Sequence, residues 1–412
     1  MCRLSDVGPG LAFFAPDITE VSTIKRVAEF VDHGMRPLVL GFRRDRCNRD
    51  FEPAWPYRLL GRTRDGRHWH RVWALALAVP KLLRARAALR RTPVYYARNI
   101  DLLLLAFLAR FLFNRGAVVA YEVLDIQPAF LGRGCTAVLL RWIERRCLGR
   151  VLVLVLSSPG FLRNYYRGQL GYTGRWVLLE NKLHRSALVY LPAGADRRTA
   201  VKDKDAAGRW VVGYFGLIRG EATMRLVRSI ATRVPHKVSF RFSGVFTTVE
   251  ERLFRAMFTG LPNVVYDGEY AHPQDLGDIY GAVDLAWAID LEDSQCNSRW
   301  LLPNRFYEAG ICGVPCLAVA GFELGVALDR LGVGWSFAEP LEDALVRFFE
   351  SLERSEYEAC RRRLAALPRS RFVAGDEIAA LCAILNDAAG TPSTRIAALA
   401  VEGGRLDRLP EG

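Results

Sequence analysis

Two segments of the chain combine glycine, arginine and glutamate in an order that can hold a phosphorylated ligand. In the first, WVVGYFGLIRGEATMRLV (residues 210–227), an apolar run reaches Gly216, and Arg219 and Gly220 lead into a helix-like segment. Glycine lets the backbone approach a ligand, helix N-termini offer N–H groups to phosphate, and arginine can form two hydrogen bonds with a diphosphate. Because the segment matches neither GxxxxGK[ST] nor GxGxxG, an ordinary strand–turn–helix connection with a surface arginine is the alternative.

The second segment, LLPNRFYEAGICGVPCLAV (residues 301–319), places one acid in a short amphipathic helix. Pro303 suits the first turn of a helix, and a glycine can end it before an apolar strand. Phe306 and Ala309 share a buried face, whereas Glu308 points elsewhere, toward the same cleft as the first segment. We expect Glu308 to accept hydrogen bonds from a ribose diol and to have no partner in the core. A solvated helix acid is the alternative.

The chain around these segments alternates between helix-like and strand-like runs. In the first half, strands are predicted at residues 36–42, 93–97, 117–123, 151–157 and 176–180, with a helix at 22–33. After a polar linker at 192–208, further strands are predicted at residues 210–216, 238–244, 263–268, 282–289 and 314–319. Continuous apolar runs are typical of parallel strands covered on both faces. The pattern predicts an α/β fold of two Rossmann-like domains that face each other across a cleft.

The composition limits the possible functions. The net charge of +13 favours anionic partners, but no helix-turn-helix, RRM or zinc pattern supports nucleic-acid binding. The nine cysteines include no CxxC pair, so neither a zinc site nor a disulfide framework is expected. The apolar run at residues 100–113 is too short to span a bilayer, and the start of the chain does not resemble a signal peptide. A cytoplasmic protein is therefore expected.

Taken together, the two segments resemble the nucleotide-binding half of GT-B glycosyltransferases of the family 4, or "group 1", type. In that family, a glycine and a basic residue after the domain's first strand hold the donor diphosphate. A glutamate followed by small residues and G-x-P-V holds the ribose, and a segment similar to NVVYDGEYAHPQDLGDIYGAVDLAWAI (residues 263–289) lies near the nucleobase. The resemblance implies these donor-binding residues: Gly216, Arg219, Gly268, Glu269, Tyr270, Asn304, Arg305 and Glu308.

The resemblance covers all but the start and the end of the chain, and it implies an organisation into domains. Residues 1–200 would form the acceptor-binding domain, and residues 209–375 the nucleotide-sugar-binding domain. A C-terminal helix at 376–390 can cross back to the first domain, and the weak pattern of residues 391–412 predicts a flexible tail.

Two positions depart from the family pattern and bear on catalysis. Trp300 stands where the family has the first glutamate of its E-x7-E pair, and Leu124 stands where a catalytic-loop histidine is usual. Asp125 and Glu122 remain as candidate catalytic residues, either as the acceptor base or as structural acids. No cofactor and no metal are expected, because a basic residue and a helix N-terminus can stabilise the charge on the leaving phosphate. We expect the acidic run at residues 289–293 to be a solvated loop.

A basic, apolar segment of the first half suggests a membrane contact. HWHRVWALALAVPKLLRARAALRR (residues 68–91) mixes Trp69 and Trp73 with a dense cluster of arginines, which is typical of anionic membrane interfaces. The protein would then be peripheral on the inner face of the membrane. The alternative is a core-facing helix with a solvated basic face, and Pro80 would kink any single helix there.

The predicted function is that of a glycosyltransferase, of hexosyltransferase and retaining type by resemblance. It would transfer a sugar from a nucleotide-diphosphate sugar to a glycan or a polyprenyl-diphosphate-linked acceptor in cell-surface or exopolysaccharide biosynthesis. One alternative is a catalytically silent GT-B-like scaffold or binding protein, which the residues at 124 and 300 would suit. The other is a nucleotide-sugar epimerase of the same fold, which should carry more histidines and acids in the cleft.

Overall fold

The structure, a computed structural model, describes residues 10–44, 51–62, 68–191 and 208–390, with only the backbone at 68–74 and 76. The predicted tail lies outside the described residues, as does the predicted linker apart from Gly208. The side chains of Trp69 and Trp73, at which a membrane contact was predicted, also lie outside the described residues.

Seven strands of the first half form one sheet whose neighbouring strands are all parallel, in the order β3-β2-β1-β4-β5-β6-β7. The strands are β1 (Leu11–Ala15), β2 (Pro37–Arg43), β3 (Tyr57–Arg62), β4 (Val94–Arg98), β5 (Val118–Val123), β6 (Val153–Leu156) and β7 (Trp176–Leu178). The strand order reverses between β1 and β4, and such reversal points are where open α/β sheets bind ligands.

Helices cover both faces of this sheet. They are α1 (Val21–Asp32), α2 (His68–Arg84), α3 (Arg86–Arg91), α4 (Asn99–Phe113), α5 (Cys135–Leu148) and α6 (Pro159–Phe161). Buried side chains of α2, α4 and α5 share one apolar core with one face of the strands, whereas α1 packs on the opposite face. α2 contains Pro80 within a single helix.

The second half builds a six-stranded parallel sheet in the order β10-β9-β8-β11-β12-β13. Its strands are β8 (Trp210–Ile218), β9 (Val238–Phe246), β10 (Val264–Tyr266), β11 (Leu285–Trp287), β12 (Cys316–Val319) and β13 (Gly334–Phe337). Its helices are α7 (Glu221–Arg233), α8 (Glu251–Phe258), α9 (Leu276–Gly281), α10 (Asn297–Trp300), α11 (Asn304–Ile311), α12 (Glu323–Leu331), α13 (Leu341–Ser351), α14 (Arg354–Ala366) and α15 (Glu377–Ala388).

The last helix packs on the first half of the chain. Ile378, Leu381 and Leu385 of α15 are buried in the same apolar cluster as Leu11 and Phe13 of β1. The chain therefore crosses from the second sheet back to the first before residue 390, and it ties the two halves together through apolar contact.

The predicted α/β fold is confirmed, but three strands had not been predicted. These are β1, the third of the seven strands across the first sheet, and β3 and β13, each at an edge of its own sheet. β1 consists of five completely buried residues, LAFFA, and so short an apolar run does not identify a strand without its neighbours.

Candidate functional site

The glycines of the predicted donor site lie at the carboxyl ends of neighbouring strands. Gly216 of β8, with φ +99°, is paired with Gly244 of β9. A Cβ at residue 244 would lie 1.8 Å from the Gly216 carbonyl oxygen, so only glycine fits there. The Gly268 carbonyl accepts hydrogen bonds from the Gly244 N–H at 2.9 Å and the Ser243 hydroxyl at 2.8 Å. Gly216 and Gly268 are therefore brought into one cluster of backbone turns.

Arg219 follows β8 and is bound by the acidic run after β11. Its guanidinium donates hydrogen bonds to the Asp290 carboxylate at 2.9 and 2.5 Å, and Glu292 lies 3.5 Å away. The expectation of a solvated loop at residues 289–293 is therefore wrong for these two acids, because an arginine in the half-buried turn attracts them. A diphosphate that used Arg219 would have to compete with Asp290.

Arg305, on the first turn of α11, holds the end of β8 in place. Its guanidinium donates to the carbonyls of Phe215 at 2.5 Å and Leu217 at 3.0 Å, and it stacks 4.1 Å above the Tyr214 ring. These contacts fix the turn that contains Gly216. The side-chain oxygen of neighbouring Asn304 is buried and has no hydrogen-bond partner among the described residues, so a ligand donor could satisfy it.

Glu308 is buried on α11 and is not partnerless as expected. Its carboxylate accepts a hydrogen bond from the Tyr280 hydroxyl at 3.1 Å and lies 3.1 Å from the His272 ring. Burial opposes ionisation, but His272, Lys25 and Tyr280 together hold the pKa of Glu308 below its ordinary value. The expectation that Glu308 has no partner therefore needs correction: neighbouring side chains hold the carboxylate ionised and fix its orientation.

Lys25, on α1 of the first half, carries a charge that interacts with the Glu308 carboxylate, and the sequence analysis missed it. The ammonium group donates to the carbonyls of Asn181 and Lys182, each at 3.0 Å. Burial lowers the pKa of Lys25 to about 8, although the negative charge of Glu308 opposes the shift. A lone lysine on an amphipathic helix carries no sequence signal of such a contact.

Glu122, which was predicted as a candidate catalytic residue, is held in the core by two arginines. It is completely buried on β5, where one carboxylate oxygen accepts from Arg26 at 2.9 Å and the other accepts from Arg98 at 2.5 Å. Burial opposes ionisation, but the two guanidinium groups lower the pKa of Glu122. We therefore reject the catalytic interpretation of Glu122, because both oxygens are committed to buried partners.

Asp125 lies just beyond β5 and is exposed in the cleft. Although the side chain reaches solvent, the protein around it displaces much of its water and raises the pKa of Asp125 to about 6; the negative charges of Glu20 and Asp293 add to this increase and Arg219 opposes it. The N–H of the next residue, Ile126, donates a hydrogen bond to the Asn297 side chain of the second half at 2.8 Å, so Asp125 lies where the two halves of the chain meet. Of the two candidate catalytic residues, only Asp125 is exposed and able to contact a ligand.

Asn99 is a further polar residue near Asp125 that the sequence analysis missed. Among the described residues it alone has a positive φ without being glycine, at 63°. Its side-chain oxygen is buried without a hydrogen-bond partner in the described structure, and it lines a small cavity together with Asp125 and Tyr121. Strained, unsatisfied residues are enriched at functional sites, but backbone geometry of this kind cannot be seen in a sequence.

Trp300 and Glu269 complete the set of predicted positions. The Trp300 carbonyl accepts a hydrogen bond from Ser158 at 2.5 Å, and its ring packs on the apolar core of the first half. The position therefore contributes to contact between the halves. Glu269 is exposed, and the neighbouring Tyr270 hydroxyl lies 3.9 Å from where a Cβ on Gly216 would be.

In the part of the chain that the structure describes, no group of three His, Cys, Asp or Glu side chains could hold a metal ion.

The molecule has the architecture of GT-B glycosyltransferases. Its fold is similar to that of HepE of Anabaena, solved with UDP and glucose, with a TM-score of 0.65 and 14% identity over 92% of this chain and 99% of that one. Sucrose-phosphate synthase from Thermosynechococcus elongatus is similar with a TM-score of 0.67 and 14% identity, over 92% of this chain and 98% of that one. The predicted GT-B fold is confirmed.

Sequence comparison identifies the family. No protein-family model matches the chain. The succinoglycan biosynthesis protein ExoL of Rhizobium meliloti (strain 1021) is 30% identical over 327 residues, which cover 79% of this chain and 80% of the relative. The chain belongs to the family of this succinoglycan biosynthesis protein.

Replacement of Glu122 by glutamine tests its structural role. The substitution removes the buried counter-charge of Arg98 and leaves Arg26 with Glu29 as its remaining carboxylate partner, so the free energy of unfolding should fall by about 3–5 kcal/mol in urea denaturation at neutral pH. Because the pKa of Glu122 is lowered in the folded protein, its stabilisation is present above the ordinary value of 4.5 and is lost as the pH falls through the folded pKa.

The matched control is Glu350→Gln on the exposed side of α13, which should change stability by less than about 0.5 kcal/mol. A Glu122→Gln variant with wild-type stability would contradict the structural role.

Proposed function

We propose that the protein is a glycosyltransferase of exopolysaccharide or cell-surface glycan biosynthesis. It would transfer a sugar from a nucleotide-diphosphate sugar to a glycan or a polyprenyl-diphosphate-linked acceptor. The observation that carries the proposal is that Arg305 of α11 binds the carbonyls on either side of Gly216, which brings the helix of Glu308 to the strand end that leads to Arg219. Asp125 lies at the contact between the two halves, beside the hydrogen bond from Ile126 to Asn297. Membership of a succinoglycan-biosynthesis family supports it.

We further propose a UDP-sugar as the donor, bound without a metal ion. The structural relative HepE was solved with UDP and with UDP-glucose, which supports this nucleotide. Arg219 would contact the diphosphate and the Glu308 carboxylate the ribose hydroxyls. The turn at Gly268 and Tyr270 would accommodate the base, with Asn304 nearby as a polar contact.

The reaction breaks the bond between the anomeric carbon and the β-phosphate oxygen and forms a bond from that carbon to an acceptor hydroxyl. Negative charge develops on the departing diphosphate, and Arg219 is positioned to stabilise it there. The acceptor hydroxyl would attack on the face from which the diphosphate departs, as retention of configuration requires, and would lose its proton to Asp125. A hexosyl donor, retention of configuration and assignment to family 4 are proposals that rest on the sequence resemblance.

Glu308→Gln tests the ribose contact. Glutamine can still accept a hydrogen bond from Tyr280, so the fold should survive, whereas a charged acceptor for the ribose hydroxyls is lost. UDP affinity measured by calorimetry should fall about tenfold or more, which corresponds to one hydrogen bond to a charged group. Glu350→Gln serves again as the control. Wild-type UDP affinity in a folded Glu308→Gln variant would rule out the ribose role.

Asp290→Asn tests competition for Arg219. Removing the carboxylate charge frees the guanidinium for diphosphate, so UDP should bind roughly three- to tenfold more tightly, a modest gain because the ion pair is partly exposed. In an Arg219→Ala background the same substitution should have no effect on affinity. A gain that persists without Arg219, or no gain at all, would show that the arginine does not contact the diphosphate.

The pKa of Asp125 predicts how the rate of sugar transfer depends on pH. A general base must be deprotonated, and the pKa of Asp125 is about 6, so kcat should rise with pH through about 6 and then level off. Asp125→Asn should lower kcat by about 100-fold or more while UDP binding stays unchanged. The exposed Asp387→Asn of α15 is the control. A variant at 125 with wild-type kcat and pH profile would exclude the base.

A further inference from the structure

The helix layer formed by α2, α4 and α5 exposes large apolar side chains to solvent. Phe111 on α4 is 62% exposed, and Trp142 on α5 is 54% exposed. Other exposed apolar residues of these helices are Leu77, Leu83, Leu104, Leu112, Val138 and Leu139. Single exposed apolar residues are ordinary, but a cluster on adjacent helices marks an interaction surface.

These residues point in one direction. The three helices pack side by side on the same face of the first sheet, and their buried residues belong to one core. Leu104 and Phe111 lie two turns apart on α4, and Val138 and Trp142 lie one turn apart on α5, so each helix presents a stripe. Because the opposite sides of both helices contact the sheet, the stripes face outward together as one surface, the apolar–basic face.

Arginines surround the apolar–basic face. The Arg115 guanidinium lies 4.8 Å from the centre of the Phe111 ring, and Arg146 lies 5.4 Å from that of Trp142. The exposed basic residues of the segment from residue 75 to residue 150 are Arg84, Arg86, Arg90, Arg91, Arg115, Arg133, Arg145, Arg146 and Arg150. Its acids are Asp101, Glu122, Asp125 and Glu144.

The acids do not neutralise this surface. Glu122 and Glu144 are buried, the latter beneath three tyrosine hydroxyls, and Asp125 faces the cleft. Asp101 is half-buried in the first turn of α4, away from Phe111 at the helix end. The outward charge of the face is therefore positive.

We propose that the apolar–basic face docks on an anionic lipid bilayer. Phe111 and Trp142 would enter the interface between headgroups and acyl chains, and the surrounding arginines would contact lipid phosphates. The positive charge favours this occupant over a second copy of the chain, since two identical basic faces repel each other. Among the described helices, none has both the length and the apolar character needed to cross a bilayer.

The inference rests on the proposed function, because a polyprenyl-diphosphate-linked acceptor resides in the membrane. It also shifts the predicted contact from residues 68–91 toward α4 and α5. Within α2, Ala78 and Leu82 pack in the core, whereas Leu77 and Leu83 are exposed. α2 therefore adds two apolar side chains at the edge of the apolar–basic face.

Vesicle flotation of the full chain tests the proposal. The wild type should bind phosphatidylcholine vesicles that contain phosphatidylglycerol, bind pure phosphatidylcholine much more weakly, and lose binding as salt increases. The double variant Phe111→Ser/Trp142→Ser and the double variant Arg115→Glu/Arg146→Glu should each partition at least about tenfold more weakly. The matched controls in the second half, Val326→Ser and Arg252→Glu, replace equally exposed residues and should bind as the wild type does.

Calorimetry with UDP on the same samples separates this inference from the donor site. Loss of vesicle binding with UDP affinity retained in the two double variants supports the membrane face. If the wild-type protein binds UDP but does not float with anionic vesicles, the membrane-docking proposal is contradicted and the proposed donor site is not. If the protein floats with anionic vesicles but does not bind UDP, the membrane-docking proposal is supported and the proposed donor site is contradicted. A dimer in sedimentation that the Phe111→Ser/Trp142→Ser variant dissociates would assign the face to a second copy and overturn the proposal.

Discussion

The parallel direction of every strand is the constraint on which the rest of the structure depends. Because all strands of a sheet run the same way, all their carboxyl ends meet at one edge, and connecting helices must cover both faces. Asp125 reaches the cleft from β5, and Gly216 and Arg219 reach it from β8. Contacts between the halves hold the two edges against each other: the Ile126 N–H donates to the Asn297 side chain at 2.8 Å, and Arg163 pairs with Glu323 at 2.5 Å.

The charged groups of the molecule differ in whether a ligand can replace their partners. Glu122 is enclosed by two guanidinium groups and completely buried, so its charge serves only the fold. Arg219 is partly exposed, and its partner Asp290 is a carboxylate for which a phosphate can substitute. Glu308 lies between these cases. Its hydrogen-bond partners, Tyr280 and His272, fix the ionised carboxylate, but it is not enclosed by two guanidinium groups as Glu122 is. Under the proposed function, stability and ligand binding therefore depend on different carboxylates: Glu122 in the core serves the fold, and Glu308 serves the ligand.

The sequence was sufficient to predict ten of the thirteen strands that the structure describes and the class of fold, because apolar runs of strand length and the helix at residues 304–311 have local causes. The glycine turn after β8 was also predictable, since a motif within a few residues specifies it. The partners of charged residues were not predictable. Asp290 lies far from Arg219 along the chain, and Tyr280 and His272 reach Glu308 only after the sheet has formed. Glu122 and Asp125 are three residues apart with opposite environments, because β5 is covered on both faces and buries Glu122, whereas the strand has ended before Asp125.

Calorimetric titration of the wild-type protein with UDP and with uridine, in the absence of added metal, tests the central claim most directly. If the turn after β8 binds the donor diphosphate, UDP should bind saturably, and uridine, which lacks the diphosphate, should bind at least about a hundredfold more weakly, as expected for the loss of charge-assisted hydrogen bonds. Equal affinity for the two, or no binding of UDP to the folded protein, would contradict the assignment of this cleft as a nucleotide-sugar site.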